Sequence, residues 1–296
     1  METGYIIIII MILLLLFALF VGVRIYYNHA LTCEYYNIIN QKIPKEFQGC
    51  KIVLLSDLHE NKFGKNNKKL LDMIDAQHPD YIMIAGDMLV KGKCIKADNT
   101  LFLLKKLSQR YPIFYAPGNH EEQLERVCAG EEYKDFLEQL ENMGVNYLAN
   151  KSIYLQKGTG KIKVSGLHLP RKYYAKFYEK VTLTVSDLTE FLGGSSKEYE
   201  IVLAHNPNYF DSYVQWGADL VLSGHVHGGI VILPFLGGVI STTYELFPKY
   251  DFGIFKRGKA ALVLSRGLGM HTIKVRLFNN PEVSVITLGE KSTCTK

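Results

Sequence analysis

The chain has 296 residues, of which 48% are hydrophobic and 21% are charged, and its formal net charge is +5. This composition excludes a disordered or fibrous protein, and the length suffices for one large α/β domain or two small domains. The mild positive charge does not indicate nucleic acid as a structural partner, but it suits work beside an anionic membrane or on anionic substrates. The five cysteines form no CxxC pair, so neither a zinc finger nor a disulfide scaffold is indicated.

Residues 5–23 form an apolar stretch without a charged residue. As a helix it would be roughly 28 Å long, close to the thickness of the bilayer hydrocarbon. A cleaved signal peptide is the alternative, but no basic residue precedes the stretch, and it is long for a signal sequence. We therefore expect a single-pass cell-membrane anchor over residues 1–24. Glu2 before the stretch and Arg24 after it weakly favour a cytoplasmic location for the rest of the chain.

Residues 25–50 are predicted to form a linker with a lead-in strand, and residues 51–296 the main domain. In the first part of this domain, predicted strands alternate with predicted helices, which indicates a largely parallel sheet with helices packed on it. The strands are 51–55, 81–85 and 113–116, and the helices are 68–77, 99–109 and 133–143.

From about residue 153 short strands with glycine turns predominate. The predicted strands are 162–166, 201–204, 220–223, 229–233, 260–265 and 283–288. Two sheets that face each other, with helices outside, would accommodate both halves in one domain.

Asp, His or Asn residues follow five of these strands, at the edge where open α/β sheets bind ligands. Each segment alone is a weak signal, but five of the nine histidines lie in them, and chance does not explain their joint occurrence. In an extended chain, Asp57 and His59 point to the same side and can bind one ion. The segments are Asp57-Leu58-His59, Gly86-Asp87, Gly118-Asn119-His120-Glu121, His205 and Gly224-His225-Val226-His227.

Together these segments resemble the signature of the calcineurin-like metallophosphoesterases, and the similarity extends over about residues 51–288. Two further strings resemble in particular the small, often membrane-tethered bacterial phosphodiesterases: His225-Val226-His227-Gly228-Gly229 and Ser265-Arg266-Gly267-Leu268-Gly269. The resemblance implies a four-layer α/β/β/α sandwich with a binuclear metal site, here preceded by one transmembrane helix.

The resemblance also implies a role for each motif residue. One metal ion would be held by Asp57, His59 and His227, the other by Asn119, His205 and His225, with Asp87 as a bridge. Nitrogen and oxygen ligands without thiolate suit Mn, Fe or Zn, so two such divalent ions are the expected cofactors. They would lower the pKa of a shared water, and the resulting hydroxide would attack the phosphate ester. His120 would lie beside the leaving oxygen and donate a hydrogen bond or a proton to it.

Two positions depart from the family pattern. Many relatives carry a second aspartate three positions after the bridging one, where it orients the catalytic histidine, but this chain has Val90 there. Either another group orients His120, or its role as an acid is weaker. Ile230 stands where close relatives often have a polar residue, which affects substrate contacts rather than the metals.

Two segments bear on substrate choice. Residues 171–180 read RKYYAKFYEK, and as a helix they would have a basic face beside an aromatic face. An ordinary amphipathic helix with its aromatic residues in the core is the alternative. Residues 231–244 are apolar and contain glycine, and they form either a loop at the cleft mouth or a buried hairpin.

Three functions remain open. The first is a phosphoesterase, most simply a phosphodiesterase, acting on a lipid-borne or envelope phosphate ester, which the anchor favours. The second is a phosphoesterase for soluble nucleotides or phosphoproteins, anchored only for location. The third is a non-catalytic scaffold, but such a protein is expected to lose metal ligands, and this chain retains all seven candidates.

Overall fold

The computed structural model describes residues 2–128, 130–229, 231–233, 235–242, 244–270 and 276–289. The α-helices among these residues are α1 (Glu2–His29), α2 (Lys68–Asp75), α3 (Asp98–Ser108), α4 (Asn119–Val127), α5 (Glu131–Asn142), α6 (Val185–Leu192) and α7 (Phe210–Trp216). The strands are β1 (Thr32–Ile38), β2 (Lys51–Leu55), β3 (Tyr81–Ala85), β4 (Ile113–Ala116), β5 (Asn146–Tyr147), β6 (Lys151–Lys157), β7 (Gly160–Leu167), β8 (Tyr199–Ala204), β9 (Leu220–Ser223), β10 (Ile232–Leu233), β11 (Gly237–Gly238), β12 (Gly253–Arg257), β13 (Ala260–Leu264) and β14 (Glu282–Leu288).

Most of these strands belong to two six-stranded sheets. The first has the order β1-β14-β2-β3-β4-β5, in which β2, β3, β4 and β5 run parallel. The second has the order β12-β13-β9-β8-β7-β6, with parallel central strands and an antiparallel strand at each edge. Strands β10 and β11 form a separate short hairpin. Parallel pairing brings the carboxyl ends of neighbouring strands to one edge of each sheet.

The two sheets enclose an apolar core because alternate residues of each strand face opposite sides. In β2, Ile52 and Leu54 belong to the core between the sheets, whereas Val53 and Leu55 belong to the core under α2, α3 and α5. A third core packs α6 and α7 on the second sheet. Three cores between successive layers give the predicted helix–sheet–sheet–helix arrangement.

The observed elements match most of the predicted ones and differ at a few places. The elements that were not predicted are helices α4, α6 and α7 and strands β5, β6, β11 and β12. The predicted strand 229–233 is wrong, because a short 3₁₀ turn covers His227–Gly229 and β10 begins only at Ile232. Gly228 and Gly229 have φ values of 68° and 71°, which turn the chain away from an extended path.

The segment 25–50 contains more regular structure than a linker. Helix α1 continues to His29, and β1 then pairs in parallel with β14 over its whole length. The predicted lead-in strand is therefore an edge strand of the first sheet.

Helix α1 exposes the apolar side chains that the structure describes, from Tyr5 to Leu15 and at Phe17 and Leu19. The side chains at positions 2–4, 16, 20 and 23–29 lie outside the description. By length and hydropathy, no helix built from the described residues qualifies as a membrane span. The anchor over residues 1–24 stays a prediction.

Candidate metal centre

The sequence-predicted site residues all lie just beyond the carboxyl ends of parallel strands. They are Asp57 and His59 after β2, Asp87 after β3, Asn119 and His120 after β4, His205 after β8, and His225 and His227 after β9. All of them are buried except Asn119, which is half-buried. Both sheets contribute, so the cluster forms only where the two sheets face each other.

Asp57, His59 and His227 form a first group whose potential ligand atoms lie within 4.8 Å of one another. The Nε2 atoms of His59 and His227 are 3.3 Å apart. Asp57 Oδ1 lies 3.4 Å from His227 Nε2. These separations place two imidazoles and one carboxylate around one point, which is the arrangement of a cation site.

Asp87, His205 and His225 form a second group, also within 4.8 Å. Asp87 Oδ2 lies 3.2 Å from His205 Nε2. Asn119 lines the same cleft as Asp87 and His225, and its Oδ1 is buried without a hydrogen-bond partner among the described residues. Burying such an oxygen without a partner is unfavourable, and a cation would satisfy it.

A third group joins Asp87 to His59 and His120. Asp87 thus reaches donors from both of the first two groups, as a bridging carboxylate must. The Nε2 of His120 lies 3.7 Å from Asp87 Oδ2, so distance alone does not separate His120 from the candidate ligands.

Three of the histidines are held in one tautomer by main-chain carbonyls that accept from Nδ1. The pairs are His59 with Leu89 (3.2 Å), His205 with Ala85 (2.5 Å) and His227 with Gly269 (3.1 Å). Because a carbonyl can only accept, each Nδ1 carries a proton, and the Nε2 of the neutral ring presents a lone pair. Two lone pairs facing each other at 3.3 Å repel unless a proton or a cation lies between them. These residues therefore fit a divalent metal, whose histidine ligands are commonly oriented in this way.

His120 has the opposite hydrogen bond. Its Nδ1 accepts from the main-chain N–H of Lys91 at 2.9 Å, so the neutral ring carries its proton on Nε2. An Nε2 that bears a proton donates a hydrogen bond and does not ligate a cation. The amide of Lys91, next to Val90, orients His120 in this chain.

The turns that present these side chains use left-handed backbone conformations. Five candidate ligands have positive φ: Asp57 (52°), His59 (47°), Asp87 (54°), His225 (76°) and His227 (54°). Such conformations cost about 1–3 kcal/mol each and cluster at functional sites. Asp57 and His59 do lie together, as expected. The expected cause, an extended chain, is wrong. Instead, their N–H groups donate to the carbonyls of Gly86 and Asp87, at 2.9 and 3.1 Å.

Two glycines leave room for the carboxylates. A Cβ at Gly118 would lie 2.2 Å from Asp87 Oδ1, and a Cβ at Gly224 would lie 2.3 Å from Asp57 Oδ2. Any side chain at either position would displace a candidate ligand, so the chemistry requires glycine there.

Glu121 supports the centre in a way that sequence reasoning missed. Its buried carboxylate accepts hydrogen bonds from the main-chain N–H groups of Asp87 (2.8 Å), Leu89 (3.0 Å) and Gly118 (2.9 Å) and from the hydroxyl of Tyr115 (2.8 Å). It thereby ties the turn after β3 to the turn after β4. The only signal in the sequence was its place in the string Gly118-Asn119-His120-Glu121.

The buried charges in the centre strongly perturb one another. Burial raises the pKa of Asp57 to about 6. Burial would also raise the pKa of Asp87, but the nearby imidazoles of His120 and His205 hold it well below its usual range. Burial lowers the pKa of His205, but the carboxylates of Asp87 and Asp57 outweigh it and raise this pKa to about 9. Burial and the adjacent His59 lower the pKa of His227 well below its usual range.

The loop 265–269 and Arg276 form an outer support that the sequence did not reveal in detail. The N–H groups of Leu268 and Gly269 donate to the carbonyls of Ser56 (3.0 Å) and Asp57 (2.6 Å). Arg276 is buried, and its Nη2 donates to the carbonyls of Arg266 (3.0 Å), Gly267 (3.0 Å) and Gly269 (2.9 Å). The carbonyl of Gly269 also accepts from His227 Nδ1, so the guanidinium fixes the acceptor that orients a candidate ligand.

A cleft of about 820 Å³ opens onto this cluster. The segment predicted as a helix over residues 171–180 forms one wall, but it is not an α-helix: two short 3₁₀ turns, Arg171–Tyr174 and Phe177–Glu179, are separated by extended residues. Tyr173 enters the core, and Tyr174 lies edge-on to His225 with ring centroids 5.3 Å apart. Ile230, the second departure from the family pattern, lies outside the described residues.

Comparison with known proteins agrees with this geometry. An uncharacterized metallophosphoesterase of Campylobacter jejuni is 30% identical over 89% of this chain, which spans 66% of that protein. One of Bacillus subtilis is 27% identical over 90% of this chain and 87% of its own length. A zebrafish protein described as a transmembrane protein with a metallophosphoesterase domain is 25% identical over 84% of this chain, which spans 55% of it.

A family profile described as calcineurin-like phosphoesterase matches residues 50–229, which include every candidate ligand. The match and the relatives support a metal-dependent phosphoester hydrolase. The chain belongs to the calcineurin-like phosphoesterase family.

Proposed function

We propose that this chain hydrolyses a phosphodiester with two divalent cations, Mn, Fe or Zn, held by the buried strand-end cluster. The proposed ligands are Asp57, His59 and His227 for one cation, Asn119, His205 and His225 for the other, and Asp87 as the bridge. The observation that carries the proposal is the orientation of three of the histidines by carbonyls at Nδ1, which turns their Nε2 atoms toward one another and toward the carboxylates. When bound, two such ions supply Lewis-acid charge and lower the pKa of a water.

In this proposal His120 serves the leaving group. The N–H of Lys91 occupies its Nδ1, so the ring presents Nε2–H toward the cleft that it lines. A hydrogen bond from Nε2 would stabilise negative charge that develops on the departing oxygen. The same amide opposes a proton on Nδ1, which favours a hydrogen bond over complete proton transfer.

The proposed substrate is a lipid-borne or envelope phosphodiester. Arg171, Lys172 and Lys176 line the cleft near the metal cluster, which favours an anionic substrate. The uncharged apolar stretch 5–23 supports a location at the cell membrane, with residues 1–24 as a single-pass tether and the domain on the cytoplasmic side. The zebrafish relative, described as a transmembrane protein, is consistent with such a tether.

A hydrolysis screen of the full chain in detergent, with added Mn²⁺, tests the function. The panel contains aryl phosphomonoesters, aryl phosphodiesters, cyclic nucleotides and lipid phosphodiesters. We expect the diesters to be hydrolysed fastest and the lipid diester to be accepted. Preference for monoesters or nucleotides would reject the proposed substrate class, and no hydrolysis of any ester by the metal-loaded protein would reject the function.

Alkaline carbonate extraction of membranes tests the tether separately. The full chain should stay in the pellet, and a protease added to intact cells should not cleave it. Release into the carbonate wash would contradict the tether without affecting the proposed chemistry.

A further inference from the structure

Large apolar side chains are exposed along residues 231–250, and we call the described part of this segment the apolar loop. Phe235 is fully exposed, and Leu236, Tyr244, Leu246 and Phe247 are each more than half exposed. Soluble proteins rarely expose so many neighbouring apolar side chains unless the surface binds something. The run that the sequence left open as a cleft loop or a buried hairpin is therefore an exposed loop carrying the β10–β11 hairpin.

The apolar loop lies at the mouth of the metal cleft. Ile240, Ser241, Thr242 and Tyr244 line the cleft together with Asp87 and His225 among the candidate ligands. The hydroxyl of Thr242 donates to the main-chain carbonyl of His225 at 2.9 Å, which fastens the loop to the turn carrying a candidate ligand. Whatever covers the exposed side chains therefore also lies at the entrance to the site.

Lysine and tyrosine side chains lie in and beside the apolar loop. The Nζ of Lys176 lies 5.7 Å from the ring centroids of both Tyr178 and Tyr244. Lys249 stacks on Tyr250 at 4.7 Å. Exposed Phe and Leu next to Tyr and Lys is the composition of segments that lie in a membrane interface, where the apolar groups enter the acyl region and the cations contact phosphates.

A second copy of the chain fits this surface less well than a bilayer does. Two copies meeting symmetrically through the apolar loop would bring Lys176 of each copy toward Lys176 of the other, which is unfavourable. An anionic bilayer supplies an apolar interior for Phe235 and Leu246 and negative headgroups for Lys176. The exposed apolar side chains of α1 are a second surface on the same chain that the same bilayer would cover.

We propose that the apolar loop and Lys176 dock on the surface of an anionic bilayer, so that a lipid-borne phosphodiester enters the cleft headgroup first. This inference rests on the proposed function and extends it from a tethered enzyme to one whose cleft mouth itself contacts the lipid. The tether sets only where the domain is, whereas the loop sets how the substrate reaches the metals.

A fluorescent reporter tests the docking directly. Trp216 is the chain's single tryptophan and is buried, so Leu246→Trp adds one exposed probe. The full-length variant is mixed with phosphatidylcholine vesicles, with or without phosphatidylglycerol and with brominated acyl chains. We expect a blue shift and bromine quenching that increase with phosphatidylglycerol. The matched control is Tyr154→Trp, because Tyr154 is also more than half exposed and lies on the edge strand β6, opposite Lys163 and away from the metal-bearing strand ends.

A kinetic experiment separates this inference from the proposed function. Phe235→Ser combined with Phe247→Ser removes apolar groups that do not line the cleft. Hydrolysis of a lipid phosphodiester in vesicles should fall on the order of tenfold for each side chain, while hydrolysis of bis(p-nitrophenyl) phosphate should not change.

An unquenched reporter, or undiminished vesicle hydrolysis, would overturn the docking even if the soluble ester is hydrolysed. A lipid-independent blue shift that grows with protein concentration would show a second copy on the loop and would overturn it as well. Failure of the unaltered protein on every ester, with the reporter quenched, would reject the function and leave the docking supported.

Discussion

The floor of the metal cleft, formed by the candidate ligands and the turns that carry them, is held by main-chain hydrogen bonds. Its mouth, formed by the apolar loop and residues 171–180, consists of long side chains that contact one another or solvent. At the floor, carbonyls orient the histidines, and Glu121 joins two turns through main-chain amides. At the mouth, Lys176 rests between two tyrosine rings, and Phe247 is exposed. The family match ends at Gly229, just before the apolar loop. The match therefore includes every candidate ligand of the floor and Lys176 at the mouth, but not the apolar loop.

The largest effect is expected from Asp87→Asn, at the centre of the floor. Removing one negative charge from the proposed bridge should leave fewer than two metals per chain and abolish most activity, as elemental analysis and ester hydrolysis would show. Asp72→Asn, on the exposed surface of α2, is the matched control and should retain two metals and full activity. Two metals retained by the Asp87 variant would mean that another group forms the bridge.

His120→Asn should keep both metals but slow hydrolysis by about 10²–10³-fold, the usual loss of one donor to a developing oxyanion. The deficit should be largest for alkyl leaving groups and smaller for activated aryl groups, because the latter need less stabilisation. His168→Asn is the control, since His168 pairs with Glu125 at 3.5 Å and does not line the cleft. Loss of a metal from the His120 variant would show that His120 is a ligand or a support of one.

Acidification should weaken the two metal sites at different pH values. A cation must displace the proton of His205, whose pKa is raised to about 9, so affinity at that site should fall about tenfold per pH unit below 9. Asp57, with a pKa raised to about 6, is deprotonated above that value, so the other site should weaken steeply only below it. Calorimetric titration with Mn²⁺ at pH values from 9 to 5 measures the affinity of both sites. Equal pH dependence of the two sites would contradict the assignment of His205 and Asp57 to different ions.

Arg276→Lys tests the outer support of the floor. Lysine keeps the charge but lacks the planar fork that contacts three carbonyls, so the acceptor of His227 Nδ1 should become less ordered. Metal affinity should fall about 10–100-fold, as is typical when a partner of a metal ligand is lost. Arg257→Lys, on an exposed strand, is the control and should bind metal normally. Unchanged affinity in the Arg276 variant would show that the loop holds its position without the guanidinium.

The smallest expected effect is at the mouth. Lys176→Ala should lower hydrolysis of vesicle-borne ester about fivefold when anionic lipid is present, since one lysine near such a surface contributes about 1 kcal/mol. Neutral vesicles and soluble esters should show little change. Lys68→Ala on α2 is the control, and an equal loss with it would mean that general charge, rather than the cleft mouth, governs the effect.

The residues of the floor were predictable because their positions follow strand ends. Hydrophobic runs such as Lys51–Leu55 and Leu220–Ser223 have their predicted bounds. Parallel pairing then aligns the carboxyl ends of neighbouring strands within each of the two sheets. Residue type and strand position therefore suffice to place Asp57 near Asp87 at the edge of the first sheet and His205 near His225 at the edge of the second. The two pairs meet only because the sheets face each other. The left-handed turns that bring Asp57 and His59 together were not predictable, because neighbouring turns stabilise them through tertiary hydrogen bonds.

The sequence by itself determined the family, the layered α/β fold and the set of candidate ligands, since strand periodicity and strand-end motifs are local properties of the chain. Only the tertiary structure decided the direction of the hydrogen bond at His120, because its partner, the amide of Lys91, is 29 positions away in the chain. Likewise, Arg276 and His227 meet at one carbonyl through contacts that no local pattern encodes. The exposure of the apolar loop was also decided there, since a run of apolar residues is equally compatible with a buried hairpin until its packing against the rest of the fold is known.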